Sequence, residues 1–167
     1  QDFIPTFAAA AGEPDLVAKV KKGYAIGDKT FKVHLDGYNL LPFLSGKEKD
    51  SPREGFLYWS DDGDVLALRV GHWKTVFAEQ RHHGLDVWRE PFDVLRAPKI
   101  FNLRADPFER GDESLFYDKW MADRAFLLVP AQAIIAKWLE SFKEFPPRAK
   151  SASFSIDQVV ESLMPKS

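Results

Sequence analysis

The sequence predicts an α+β fold, a four-stranded antiparallel sheet packed against a long C-terminal helix with short helices flanking them. Three observations predict it. Four short runs rich in aromatic and aliphatic residues occupy the middle of the chain, at residues 56–59, 65–70, 73–77 and 99–103. The first three follow one another through short turn-forming stretches, so an antiparallel meander is the simplest arrangement. From Glu113 onward the apolar period becomes helical, and residues 127–142 carry the best helical pattern in the chain.

Each element has a local justification. Asp2 is placed to cap a first helix, Pro5 is tolerated in its first turn, and Gly12 suits its C-terminal end. Phe3, Ile4 and Phe7 share one face at helical spacing. A second helix is expected over residues 13–22, ended by Gly23, then a turn with an extended segment at 27–32. Residues 38–44 read as a short helical turn closed by Gly46, with the Asp36 side chain capping it. The polar stretch 47–54, with Pro52, is a loop. Asp62-Gly63 between the first two strands matches a type I′ hairpin turn. Residues 79–98 form a long insertion before the fourth strand, and Asp106-Pro107 with Glu109-Arg110 makes a turn carrying a surface ion pair. Helices follow at 115–124 and 127–142, the latter with Pro130 in its first turn and an apolar stripe of Val129, Ala133, Ile134, Ala136, Trp138 and Leu139. Pro146-Pro147 breaks it, and Ser155 caps a last amphipathic helix bearing Ile156, Val159, Val160 and Leu163. The sheet thus spans 55–103 and the helices 113–164, within a subdomain at 47–167 that follows a helical segment at 1–46.

Composition bounds the function classes. A chain of 167 residues with 45% hydrophobic content and 14 phenylalanines has material for a sizeable core. The net charge of −2 gives no footprint for nucleic acid or an anionic membrane. The absence of cysteine excludes disulfides and thiolate metal sites. The longest apolar stretch, 125–139, is interrupted by Pro130, Gln132 and Lys137, so it reads as a core helix and not a membrane span. Gln1 opens directly into an amphipathic run with no signal-peptide pattern, which leads to the expectation that further sequence lies upstream.

Three motifs carry a family resemblance. Asp2-Phe3-Ile4-Pro5-Thr6-Phe7 with Gly12 resembles the sulfatase pattern of Asp, Pro-Thr and a following Ala-Gly. The segment from Leu35-Asp36-Gly37 through Leu40, Pro42 and Leu44 to Gly46 resembles a second sulfatase segment. Ile100-Phe101-Asn102-Leu103 with Asp106-Pro107 and Glu109 resembles the strand and turn of the sulfatase small subdomain. Two further stretches, 124–132 and 142–148, are similar to a bacterial arylsulfatase subgroup. The resemblance implies a C-terminal subdomain of a sulfuric ester hydrolase, docked on a larger catalytic α/β domain of alkaline-phosphatase type, to whose edge the helical segment 1–46 would belong. It implies periplasmic or secreted location, and calcium and a formylglycine in the intact parent. Neither cofactor falls in this chain, because the family's metal ligands and catalytic residues precede the segment matched by Asp2. No Cys or Ser stands in the required x-Pro-x-Arg spacing either; Ser51-Pro52-Arg53 lacks the intervening residue. No catalytic residue is assigned.

Site candidates are therefore confined to a cleft rim, at His34 and Trp88. His34 lies beside the second motif, and Trp88 in the long insertion is the better placed of the tryptophans for a lip contact, since Trp59 and Trp73 sit in strands. His72, His82, His83 and Glu79 invite a metal reading, but adjacent histidines rarely converge on one ion, and an exposed loop is preferred. Asp61, Asp62 and Asp64 serve a turn and not a calcium loop. The partners expected are the N-terminal catalytic domain of the same polypeptide and, through the bare Phe3/Ile4/Phe7 face, other copies of the fragment; no nucleic acid and no membrane are expected. The alternative function is a stand-alone interaction module built on the same fold.

Overall fold

The structure, a computed structural model, describes residues 1–146; the helix expected to begin at Ser155 lies outside them. The described residues fall into two compact units, Gln1–Phe56 with Ala136–Pro146, and Leu57–Ile135.

In the first unit, helix α1 runs over Phe3–Ala10 and α2 over Leu16–Lys22. The sequence Asp-x-x-Pro-Thr divides α1 sharply. Pro5 and Thr6 are buried, and the Thr6 hydroxyl donates to the Asp2 carbonyl at 2.7 Å while accepting from the Leu40 amide at 2.9 Å. Phe3, Ile4 and Phe7 point the other way, 66%, 58% and 67% exposed, with the two phenyl rings stacked at 5.5 Å. Asp2 does not cap α1 with its side chain; its carboxylate is taken up elsewhere, as described below. Residues 24–31 form a hairpin, β1 (Tyr24–Ile26) against β2 (Lys29–Phe31), where the sequence pointed to only one extended segment. The two-residue loop is possible because Gly27 takes a φ of +62°. Helix α3 (Leu41–Leu44) follows, and the unit also contains the short α6 (Ser141–Glu144).

The second unit holds the predicted sheet, β3 (Gly55–Trp59), β4 (Val65–Val70), β5 (Trp73–Glu79) and β6 (Asp93–Asn102), in the order β3-β4-β5-β6. The β3–β4 turn differs from the expected type I′. Only Gly63 has positive φ, and its amide donates to the Ser60 carbonyl at 3.1 Å, a type I turn closed by a left-handed glycine. Strand β6 starts at Asp93, inside the stretch expected to be a loop as far as Pro98. Val76 pairs with Lys99 but Ala78 with Val94, so residues 95–98 bulge opposite Phe77. Pro98 has no N–H for a ladder bond, which explains both the bulge and the sequence's poor strand signal there.

One sheet face carries Ala67, Val76 and Phe101, and these form the core with Tyr117 of α4 (Tyr117–Ala122), joined by Trp120 and Met121. Phe101, Tyr117 and Trp120 stack in succession at centroid spacings of 5.9 Å. Tyr117 also replaces a missing strand partner. Its hydroxyl accepts from the Ile100 amide and donates to the Ile100 carbonyl, both at 2.9 Å and both buried. The long helix, α5 (Leu128–Leu139), belongs to a helical run over Ala125–Glu144. By length and hydropathy alone that run would be enough to cross a bilayer. Of the expected core helix, only Ala131 is buried. The half-buried stripe is Leu128, Ile135, Trp138 and Leu139, whereas Val129, Ala133, Ile134 and Ala136 of the predicted stripe are exposed. A helix apolar on most of its circumference does not declare which side packs.

Replacing Tyr117 by Phe leaves both backbone groups of Ile100 unpaired in the interior. The expected cost is about 1–3 kcal/mol in unfolding free energy, measured by urea denaturation followed by circular dichroism. A variant within error of the parent would show that neither bond contributes.

Candidate functional site

The most connected polar cluster lies in the first unit and begins with Asp2. Its Oδ1 accepts from the Tyr38 amide at 2.8 Å, and the carboxylate takes a two-point contact at 2.5 Å from Nε and Nη2 of Arg53. Arg53 in turn donates to the Asp36 carbonyl at 2.8 Å and to the Gly55 carbonyl at 3.1 Å, and its guanidinium lies 4.7 Å from the centre of the Tyr38 ring. Both charged groups are mostly withdrawn from solvent, with side chains 16% and 17% exposed. The Arg53 hydrogen bond holds the Asp2 carboxyl below its usual value, outweighing the opposing effect of burial; the same bond raises Arg53. Arg53 sits in the loop expected to be merely polar. No local sequence signal could have paired it with a residue 51 positions earlier.

This clamp positions His34. With the Asp36 backbone fixed by Arg53, the Asp36 carboxylate receives His34 Nε2 at 3.1 Å, and the Phe145 ring lies 5.6 Å from the imidazole. Asp36 therefore does not cap α3; the helix has no side-chain cap, and Asn39 makes an Asx turn ahead of it, its Oδ1 accepting from the Leu41 amide at 3.0 Å. Gly37 completes the arrangement. A Cβ there would stand 2.5 Å from the Gln1 carbonyl oxygen and 2.9 Å from Pro5 Cγ, so the turn admits glycine alone. The result is a half-buried, oriented His–Asp pair.

The second unit presents Trp88, 79% exposed, at the end of a single 3-10 turn, Gly84–Trp88. Gln80 staples this loop: its Nε2 donates to the Glu90 carbonyl at 2.9 Å and its Oε1 accepts from the His82 amide at 3.0 Å. Glu79 is engaged by Lys99 at 2.5 Å, and Lys99 reaches Asp112 at the same distance. Burial depresses Lys99, but the two carboxylates more than offset it and leave its pKa raised. Among the described residues, no three or more His, Asp or Glu side chains gather as a metal would require. The Asp106-Pro107 turn is held by the Asp106 carboxylate, which accepts from the Arg110 and Gly111 amides at 3.0 and 2.7 Å. The expected ion pair within it is rearranged. Glu109, at a φ of +55°, reaches back to Lys74 at 2.7 Å, and Arg110 pairs with Glu113. His34 belongs to the first unit and Trp88 to the second.

The three motifs read from the sequence thus correspond to three working parts: the Asp2 clamp, the Gly37 turn and the Asp106 turn. Comparison with known proteins finds a similarity to an arylsulfatase. The chain is 29% identical to arylsulfatase A of Homo sapiens over 119 residues, covering 65% of this chain and 20% of that protein. The match therefore spans about a fifth of the relative's length. No protein-family model matches the chain.

The clamp predicts an acid dependence. A carboxyl whose folded pKa is lowered contributes stability above its unfolded value near 4, and that contribution is lost as pH falls through the folded value. The stability of the parent should therefore drop more steeply below about pH 4 than that of Asp2→Asn, in denaturant titrations across that range. Parallel curves would remove Asp2 from the account. Gly37→Ala should cost about 1–3 kcal/mol through the clash with Gln1 and Pro5; a thermal melt unchanged from the parent would contradict the tight approach.

Proposed function

We propose that this chain is the C-terminal subdomain of an arylsulfatase-like sulfuric ester hydrolase, which braces the catalytic region of the same polypeptide and shapes one wall of its substrate cleft. The observation that carries the reading is the similarity to arylsulfatase A, supported by the part each resembling motif plays in the fold. The exposed Phe3, Ile4 and Phe7 face of α1 is the surface on which the catalytic region would pack, since large apolar side chains at this exposure gain most from being covered.

In this reading His34 and Trp88 are rim contacts. His34 is held by Asp36 so that its other ring nitrogen is oriented for a polar group, and Trp88 offers an indole face to an apolar part of the ester. The formylglycine and the calcium of such an enzyme belong to the catalytic region. In this reading Asp64, which closes a hairpin with Ser60, and Asp106, which accepts from backbone amides, serve the fold. No step through a metal is derived for this chain. Operation in a periplasmic or secreted setting, without a membrane span or nucleic-acid partner, completes the proposal.

The 167-residue chain alone is expected to release no phenol from an aryl sulfate above buffer, in a continuous absorbance assay. In the intact polypeptide, Phe3→Ser with Phe7→Ser should lower the melting temperature of the catalytic region. Turnover by the isolated chain, or indifference of the intact enzyme to those two substitutions, would overturn the division of roles. An open reading frame starting at this segment would instead favour a stand-alone interaction module.

A further inference from the structure

A cleft of about 250 Å³ opens in the second unit between β6, the Asp106 turn and α4, with Ile100, Phe101, Phe116, Tyr117 and Trp120 among its walls. The two segments that bound it also carry highly exposed large apolar side chains: Phe108 at 83%, Leu115 at 97% and Phe116 at 78%. A concave aromatic site therefore lies beside protruding apolar residues, and Phe116 is both wall and protrusion.

We infer that this surface pairs with the same surface of a second copy of the chain, Leu115 and Phe116 of each copy covering the cleft of the other. A two-fold contact needs a patch complementary to itself, and a hollow flanked by its own filling has that property. The area fits a reversible dimer. Large side chains bury about 150–250 Å² each, so covering three of them removes on the order of 500 Å² per copy, near the lower limit for a specific interface. The net charge of −2 offers little long-range repulsion, and the rim carries both signs in the Arg110–Glu113 pair. The inference stands apart from the proposed sulfatase role.

The test uses the full chain in sedimentation equilibrium. The parent is expected to show a monomer–dimer equilibrium in the micromolar range. Leu115→Asp should weaken it at least tenfold, and Phe7→Asp should leave it unchanged. Leu115 is almost fully exposed, so its replacement leaves the packing intact. Because the chain has no cysteine, Leu115→Cys supplies a single reporter that should give a disulfide-linked dimer on mild oxidation, which requires paired Cα atoms within about 7 Å. A strictly monomeric parent, or a dimer dissolved by Phe7→Asp and insensitive to Leu115→Asp, would overturn the inference.

Discussion

The first unit depends on one carboxylate. Asp2 gathers the start of the chain, the turn around Tyr38 and the loop at Arg53 through three donors. A charge this far withdrawn from water is tolerated only because those donors replace its hydration, and the two-point guanidinium contact adds directionality that a lysine would lack. Removing either partner would leave the other charge with a desolvation cost and little return. The packing of Pro5 against Gly37, the Thr6 bonds to Asp2 and Leu40, and the orientation of His34 through Asp36 all follow from where this carboxylate is pinned.

The second unit solves a related problem with a neutral group. A strand residue with an unpaired amide and carbonyl inside the protein is costly, and the Tyr117 hydroxyl satisfies both for Ile100. Burial raises the Tyr117 pKa, with the backbone contact to Ile100 opposing it, so the phenol stays in the form that can donate. The aromatic column from Phe101 to Trp120 then supplies the packing around that contact. Ionic contacts finish the edges: Lys74 with Glu109, and Lys99 between Glu79 and Asp112.

Legibility in the sequence followed interaction range. The strands at 56–59, 65–70 and 73–77, the helix ended by Gly23 and the turn at Gly46 rest on local period and on residues with special backbone freedom, and these elements stand where the pattern placed them. The misassigned details each depend on a distant partner or on a competition between neighbours. Asp2 reads as a cap until Arg53 is brought beside it, and Asp36 reads as a cap until His34 engages its carboxylate. Pro98 hides the first half of β6, because proline is a poor strand former except at a bulge. On α5 the sequence offers several apolar faces at once, and only tertiary contacts select Leu128, Ala131 and Ile135. The exposure of Trp88 is legible because an aromatic in a loop insertion stands out. The orientation of His34 was beyond reach, since it is set by a chain of contacts running through Arg53.

The bulge in β6 bears on solubility as well as on shape. This strand lies at the border of the sheet, where bare amides and carbonyls could recruit an extended segment from another molecule into a growing ribbon. A proline that withholds a donor, together with four residues thrown out of register, makes that border a poor template. The irregularity thereby guards a strand-rich, strongly aromatic chain against fibril-like stacking, and leaves contact between molecules to side chains.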